Sequence, residues 1–215
     1  MKKRNSAAMR IDLHCHSKYS HDNYLEPEEV IEEAVKKKLD GVCFTEHYSL
    51  MASLPVNKID IPEGFFVFRG VEISTNMGHM LVYGLEDDSW NIWSRNHYLD
   101  VFKVLETVHD LGGICVAAHP FRGWDSFGEK IFCIKDFDAI ETHNGLNHED
   151  DNIRGIHAAQ INHLPSIGGS DCHHRERVGS AFTEFKNPVQ TIDELVDEIR
   201  TGHCKGMMLE DYPST

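Results

Sequence analysis

Short apolar runs recur along the whole chain and alternate with stretches whose apolar residues fall at helical spacing. This rhythm restricts the fold more than any other feature. Met9 to Leu13 reads as a first strand. Pro27-Glu28-Glu29 then opens a helix, with proline at its first position and acids in its first turn, and Val30, Ile31, Ala34, Val35 and Leu39 mark its buried face. Gly41 to Thr45 and Phe65 to Ile73 read as strands, the latter with a return strand at Met80 to Gly84. Leu99, Phe102, Leu105 and Val108 mark a second helix that Gly112-Gly113 closes. Further strands are expected at Ile114 to Ala118, Phe137 to Ile140, Ser166 to Gly169, Ala181 to Phe185 and Gly206 to Leu209. A helix is expected from about Asp151 to Asn162, and another after the capping pair Thr191 and Glu194. Such alternation implies an α/β domain with a largely parallel sheet, either open or closed into a barrel. Residues 1–10 read as a flexible N-terminal arm and 11–215 as one domain, with neither repeat nor linker.

Nearly every strand runs into a potential metal ligand: His14-Cys15-His16, Glu46-His47, Glu72, His79, His119-Pro120, Glu141 and Asp171-Cys172-His173. In α/β folds the carboxyl ends of parallel strands form one rim, where sites are built. Residues two apart on a strand share a face, so His14 with His16, and Asp171 with His173, each have the spacing to chelate one ion. Any one of these residues alone reads equally well as a surface or capping group. Seven such coincidences around one rim do not, and mixed imidazole and carboxylate donors suit Zn, Mn or Fe better than Ca. His97, His109, His148, His157, His163 and His203 fall in helical or loop patterns and read as solvated; of His21 and Asp22, one is expected to reach the site.

The formal charge is −14, which argues against binding long nucleic acid but not against a small phosphorylated substrate, because bound cations supply local positive charge. No apolar run approaches the roughly 20 residues of a membrane span, and no apolar stretch backs the basic start to make a signal peptide. Six cysteines without a CxxC pair point to a reduced cytoplasm. Oligomeric state is not legible.

These residues resemble a known family. Asp12-Leu13-His14-Cys15-His16-Ser17, Tyr19-Ser20-His21-Asp22, Thr45-Glu46-His47, Gly70-Val71-Glu72-Ile73, His119-Pro120 and Gly169-Ser170-Asp171-Cys172-His173 look like the motifs of the PHP (polymerase and histidinol phosphatase) family, over about Ile11 to Gly202. The resemblance implies a distorted (β/α)7 barrel with a two- or three-metal site at the C-terminal ends of its strands. Its implied ligands are His14, His16, Asp22, His47, Glu72, His79, His119, Asp171 and His173, with Glu72 bridging. The second motif departs from the family's usual Asp-His by reading Glu46-His47. The activity implied is phosphoester hydrolysis by a metal-bound hydroxide. Charge balance agrees: three carboxylates against three divalent ions leave about +3, matching a phosphate dianion and a hydroxide. Arg122 is the first candidate to grip the phosphate, Arg177 (with Arg175) the second, and His143 a candidate on the substrate side. The alternatives are a metal-dependent amidohydrolase acting on C–N bonds, which would favour a bridging lysine, and a non-catalytic metal-binding PHP domain. Phe121, Trp124 and Phe127 are candidates to stack on a substrate ring.

Overall fold

The computed structural model describes residues 8–91, 99–123 and 125–211. Nine strands form one sheet: β1 Met9–Cys15, β2 Gly41–His47, β3 Phe66–Ser74, β4 His79–Tyr83, β5 Ile114–Ala117, β6 Ala139–Asn144, β7 Ser166–Gly169, β8 Ala181–Phe185 and β9 Cys204–Met208. Their order is β7-β6-β5-β4-β3-β2-β1-β8-β9. The parallel ladders β1–β2–β3 and β5–β6–β7 are joined through β4, which runs against both β3 and β5. β8 runs against β1 and β9. All strands except β4 and β8 therefore share one direction, as the alternation with helices requires. Because β4 is reversed, its first residue, His79, lies on the same rim as the last residues of its neighbours.

The sheet curls into a nearly closed, distorted barrel of the TIM type. Its seam is made where the chain after β7 meets β1: Asp171 N–H donates to the His14 carbonyl at 2.7 Å, and Cys15 pairs with Cys172 as an isolated parallel bridge. Buried Asp12 pins this seam, accepting N–H bonds from Ser170 at 2.8 Å, Gly179 at 2.9 Å and His14 at 3.2 Å. Gly169 permits the close approach, since a Cβ there would fall 2.3 Å from that of His14.

Helices α1 Pro27–Lys36, α2 Val101–Asp110, α3 Glu149–Asn162 and α4 Ile192–Arg200 stand where the periodicity puts them. Pro27 opens α1 behind a reciprocal Glu26–Glu29 box, and Thr191 with Glu194 caps α4 in the same way. α3 begins two residues before Asp151, with Glu149, Asp150 and Asp151 in its first turn. The loop after β2 contains a 3₁₀ helix, Leu50–Lys58, that helical spacing at 3.6 residues does not reveal: Leu50, Ser53 and Val56 are buried at the three-residue period of that helix. Of the expected N-terminal arm, residues 1–7 lie outside the described residues, while Met9 and Arg10 belong to β1, opposite Phe185 and Glu184. No helix among the described residues is long and apolar enough to cross a membrane.

Two bulges aim the rim. Leu13 packs with Ile11 in the interior cluster, whereas Cys15 packs against α1. The β1–β2 register shifts between Asp12 and Cys15, and this shift turns both His14 and His16 inward. A second shift, between Glu141 and His143 on β6, turns Asn144 rather than His143 toward Glu141.

Candidate metal centre

Glu72 stands at the middle of the rim with five imidazoles around it. Its Oε1 lies 3.0 Å from His79 Nδ1 and 3.0 Å from His119 Nε2. Its Oε2 lies 3.2 Å from His16 Nε2, 3.2 Å from His47 Nδ1 and 3.5 Å from His14 Nε2. Asp171 Oδ1 faces the same pair, 3.6 Å from His14 Nε2 and 3.4 Å from His16 Nε2. Asp22 Oδ2 sits between His47 Nε2 at 3.2 Å and His173 Nε2 at 3.1 Å. The nine residues expected as ligands therefore meet in one pocket. Their donor atoms fall into overlapping groups: His14, His16 and Glu72; His14, His119 and Asp171; Glu72, His79 and His119; and His16, His47 and His173. Asp22 contacts both His47 and His173, while His21 borders the site with its ring 5.2 Å from that of His47.

The donor set fits cations. His14 Nδ1–H donates to Glu141 at 2.9 Å, which makes Nε2 the atom that turns to the pocket and would give its lone pair to a cation. His14 Nε2 nevertheless lies only 3.1 Å from His16 Nε2. These two nitrogens lie 3.1–3.6 Å from each other and from the facing oxygens of Glu72 and Asp171. Ligand atoms about 2.0–2.1 Å from a tetrahedral cation stand about 3.4 Å apart. Two of the residues hold backbones outside the ordinary range, His119 with φ 27° and Asp171 with φ 54°. Such strain concentrates where function fixes a side chain.

Electrostatics make the same demand for positive charge. Burial opposes protonation of His14, but Asp171, Glu141 and Glu72 outweigh it and raise its pKa well above the ordinary value. His16, likewise buried, is pushed up to about 10 by Asp171 and Glu72. Burial would raise the carboxyls of Glu72 and Asp171, yet the surrounding imidazoles hold both well below the usual range. His119 is pushed down by burial and by Arg122. Without a cation, protons occupy the places of the metal. Metal affinity is therefore expected to rise with pH as the raised imidazoles His14 and His16 give up protons to make room for the cation. The linkage has the opposite sign for the metal-free fold. The stability that a raised His16 pKa contributes is full below the unfolded value of 6.5 and is lost as pH rises through about 10. Calorimetric metal titrations in buffers of different ionisation enthalpy, with urea melts of the metal-free protein, check both slopes; a pH-independent affinity contradicts them.

Arg122 joins the rim. Its Nη1 donates to Asp171 Oδ2 at 2.5 Å and to Asn144 Oδ1 at 3.4 Å. The other two expected side chains do not. His143 lies on the opposite face of β6, bonded to Thr142 Oγ1 at 2.8 Å and lining a cleft of about 590 Å³ with Ile156, Gln160 and Lys205. The β6 bulge is the reason: strict alternation from Glu141 would have turned His143 inward. Arg177 is exposed on the loop beyond His173, beside Lys37, and Arg175 is held by Glu29, Glu32 and Glu33 of α1. Phe121 and Phe127 are core residues, and Trp124 lies outside the described residues.

Glu141, read from the sequence only as one of the strand-end potential ligands, and Asn144, not singled out there, are supporting residues. Glu141 orients His14 and accepts the His119 N–H at 2.7 Å, and Asn144 bridges Glu141 to Asp171. The position of Glu141 at a strand end was a usable signal; that of Asn144 depends on the bulge.

Comparison with known proteins agrees with this geometry. The PHP domain profile matches residues 12–140, and the PHP-associated profile matches residues 149–204. The uncharacterized protein MJ1587 of Methanocaldococcus jannaschii is 28% identical over 159 residues, covering 69% of this chain and 88% of that protein. Among solved structures, a two-domain protein of Bacteroides vulgatus containing a predicted PHP-like metal-dependent phosphoesterase superposes with a TM-score of 0.67 at 18% identity, over 97% of this chain and 69% of that one. The lesion-specific endonuclease PfuEndoQ of Pyrococcus furiosus gives 0.70 at 21% identity, over 94% and 58%. An amidohydrolase of Chromobacterium violaceum gives 0.65 at 18%, over 94% and 98%. With both profiles matched in order and a pocket of imidazoles and carboxylates at the barrel rim, the chain belongs to the PHP family of metal-dependent hydrolases.

Proposed function

We propose that this chain hydrolyses a phosphate ester of a small molecule or nucleotide, with two or three Zn, Mn or Fe ions held by His14, His16, Asp22, His47, Glu72, His79, His119, Asp171 and His173. The observation that carries this reading is Glu72, whose two oxygens face separate groups of imidazoles. Bound divalent ions supply charge neutralisation of the phosphate and a lowered pKa for an attacking water. The chain's own residues do the rest. Glu141 fixes the His14 ring, and Asn144 with Arg122 fixes Asp171. Arg122 is our candidate for the phosphate grip: only its Nη1 is bonded to described residues, so Nε and Nη2 keep their donors for a ligand. With His143 facing away, the leaving group is left to take its proton from water. The bridging position is a carboxylate, and no lysine among the described residues touches the cluster, which favours phosphoester over amide cleavage. A charge of −14 favours a small substrate over long nucleic acid, and six free cysteines fit a reducing cytoplasm.

The test is a panel on zinc- and manganese-loaded protein: sugar phosphates, nucleotides, an aryl phosphate, a phosphodiester, a DNA duplex with an abasic site, and amides. Turnover of small esters with the duplex inert is the expected result, and turnover of amides alone refutes it. Arg122→Ala is expected to lower kcat about 100-fold with metal retained at saturating concentration, because Asn144 still holds Asp171.

A further inference from the structure

The first motif and the second motif meet at a buried hydroxyl. Ser20 Oγ lies 2.5 Å from Glu46 Oε2, 3.2 Å from His16 Nδ1 and 3.2 Å from the backbone N of His47. A hydroxyl has one proton and two lone pairs. The His47 N–H can only donate. The Glu46 carboxylate also receives Ser17 N–H at 3.2 Å and Ser17 O–H at 2.5 Å, so it accepts on both oxygens. The Ser20 proton therefore goes to Glu46, and its remaining lone pair must accept from His16 Nδ1–H. That assignment makes Nε2 the His16 atom that faces Glu72 and Asp171, the one whose lone pair a cation would take in exchange for a proton. His14 reaches the same state by direct contact with Glu141, whereas His16 reaches it through a serine.

We infer that Glu46 and Ser20 are positioning residues: the carboxylate orders the Ser20 proton, and the hydroxyl in turn fixes the His16 ring and the His47 backbone in one register. The consequence spans two donor groups, since His16 sits beside His14 and Glu72 while both His16 and His47 sit beside His173. The same carboxylate holds the turn 17–20 by its backbone, accepting Ser17 N–H at 3.2 Å while Ser20 N–H bonds the Ser17 carbonyl at 2.9 Å, bonds that a Ser17→Ala change leaves in place. Asp12, Glu46 and Glu141 are all fully buried carboxylates near the rim; Glu141 touches His14 directly and Asp171 through Asn144, whereas Glu46 reaches His16 through Ser20. The glutamate in the second motif thus has a task that its length suits: it spans from β2 to two serines of the first motif.

This inference rests on the metal-centre reading, and the experiment separates the two. Zinc affinity is measured by chelator competition on the wild type, Ser20→Ala, Ser20→Thr and Ser17→Ala, with urea melts of each. Ser20→Ala is expected to weaken zinc about 10- to 100-fold, Ser20→Thr to restore it to within about threefold, and Ser17→Ala, which touches Glu46 but no ligand, to cost stability with zinc affinity within about threefold. In zinc-loaded, nitrogen-15-labelled protein the His16 Nδ1–H signal is expected to be protected from exchange in the wild type and to lose protection in Ser20→Ala. Equal loss of zinc affinity in Ser17→Ala and Ser20→Ala, or an unchanged His16 signal in Ser20→Ala, overturns the relay. A wild type that binds no zinc, manganese or iron overturns the metal centre itself.

Discussion

Glu72→Gln is expected to strip the protein of bound metal and to lower phosphoester turnover by at least about 1,000-fold while leaving the fold intact. Glutamine keeps the shape and one acceptor oxygen, so the packing around this 2% exposed side chain survives. What it loses is the second anionic oxygen. Glu72 Oε1 serves His79 and His119, and Oε2 serves His14, His16 and His47, so one amide cannot present a lone pair to both groups. The substitution also removes negative charge, which lowers the pKa values of His14 and His16 and eases proton competition; that gain is small beside the loss of a shared ligand. Metal content by elemental analysis, beside turnover of the best ester from the substrate panel, decides the matter. Wild-type metal content and rate in Glu72→Gln would show that the carboxylate bridges nothing. His14→Ala should fail in parallel, because it opens the His14, His16 and Glu72 group and orphans Glu141 Oε1.

Asp12→Ala is expected to lower unfolding free energy by about 3–5 kcal/mol. Asp12 touches none of the donor atoms. It accepts from Ser170, Gly179 and His14 backbone N–H groups in a fully buried site, and each donor left without a partner costs roughly 1–3 kcal/mol. Burial pushes the Asp12 carboxyl up, with the bonds from Ser170 and Gly179 pulling the other way, so the group is held by those donors rather than by a counter-ion. Asp12→Asn should lose less, since the amide oxygen can still accept from Ser170 and His14. Urea melts of metal-free protein measure the difference, and a loss below about 1 kcal/mol would mean that the seam is held by other contacts.

The strand and helix pattern was legible because burial on this barrel is periodic. The apolar faces of α1, α2 and α4, their caps at Pro27 and Thr191, and the strand ends carrying His14, Glu72, His119 and Asp171 are all local signals. Three things were not local. The inward turn of Asn144 and the outward turn of His143 follow from a register shift set by the partner strand β7. The placement of Arg122 depends on Asp171, far along the chain, offering it an oxygen. Arg175 and Arg177 follow that motif in sequence, but one is drawn to three acids of α1 and the other stays exposed. The 3₁₀ helix at Leu50–Lys58 escaped because its burial repeats every third residue, and its start is tied down by Asp88.

The seam between β1 and the end of β7 has a bearing on how the protein is made. His14 and His16 are translated early, whereas Glu141, Asp171 and His173 emerge far later, and the contact from His14 to Glu141 alone spans 127 positions. A nascent chain halted before Asp171 carries seven of the nine candidate ligands but no closed ring. On the metal-centre reading, the complete donor set assembles only once Asp171 and His173 have been made, so a bound cation would act as a late clasp on the closed ring.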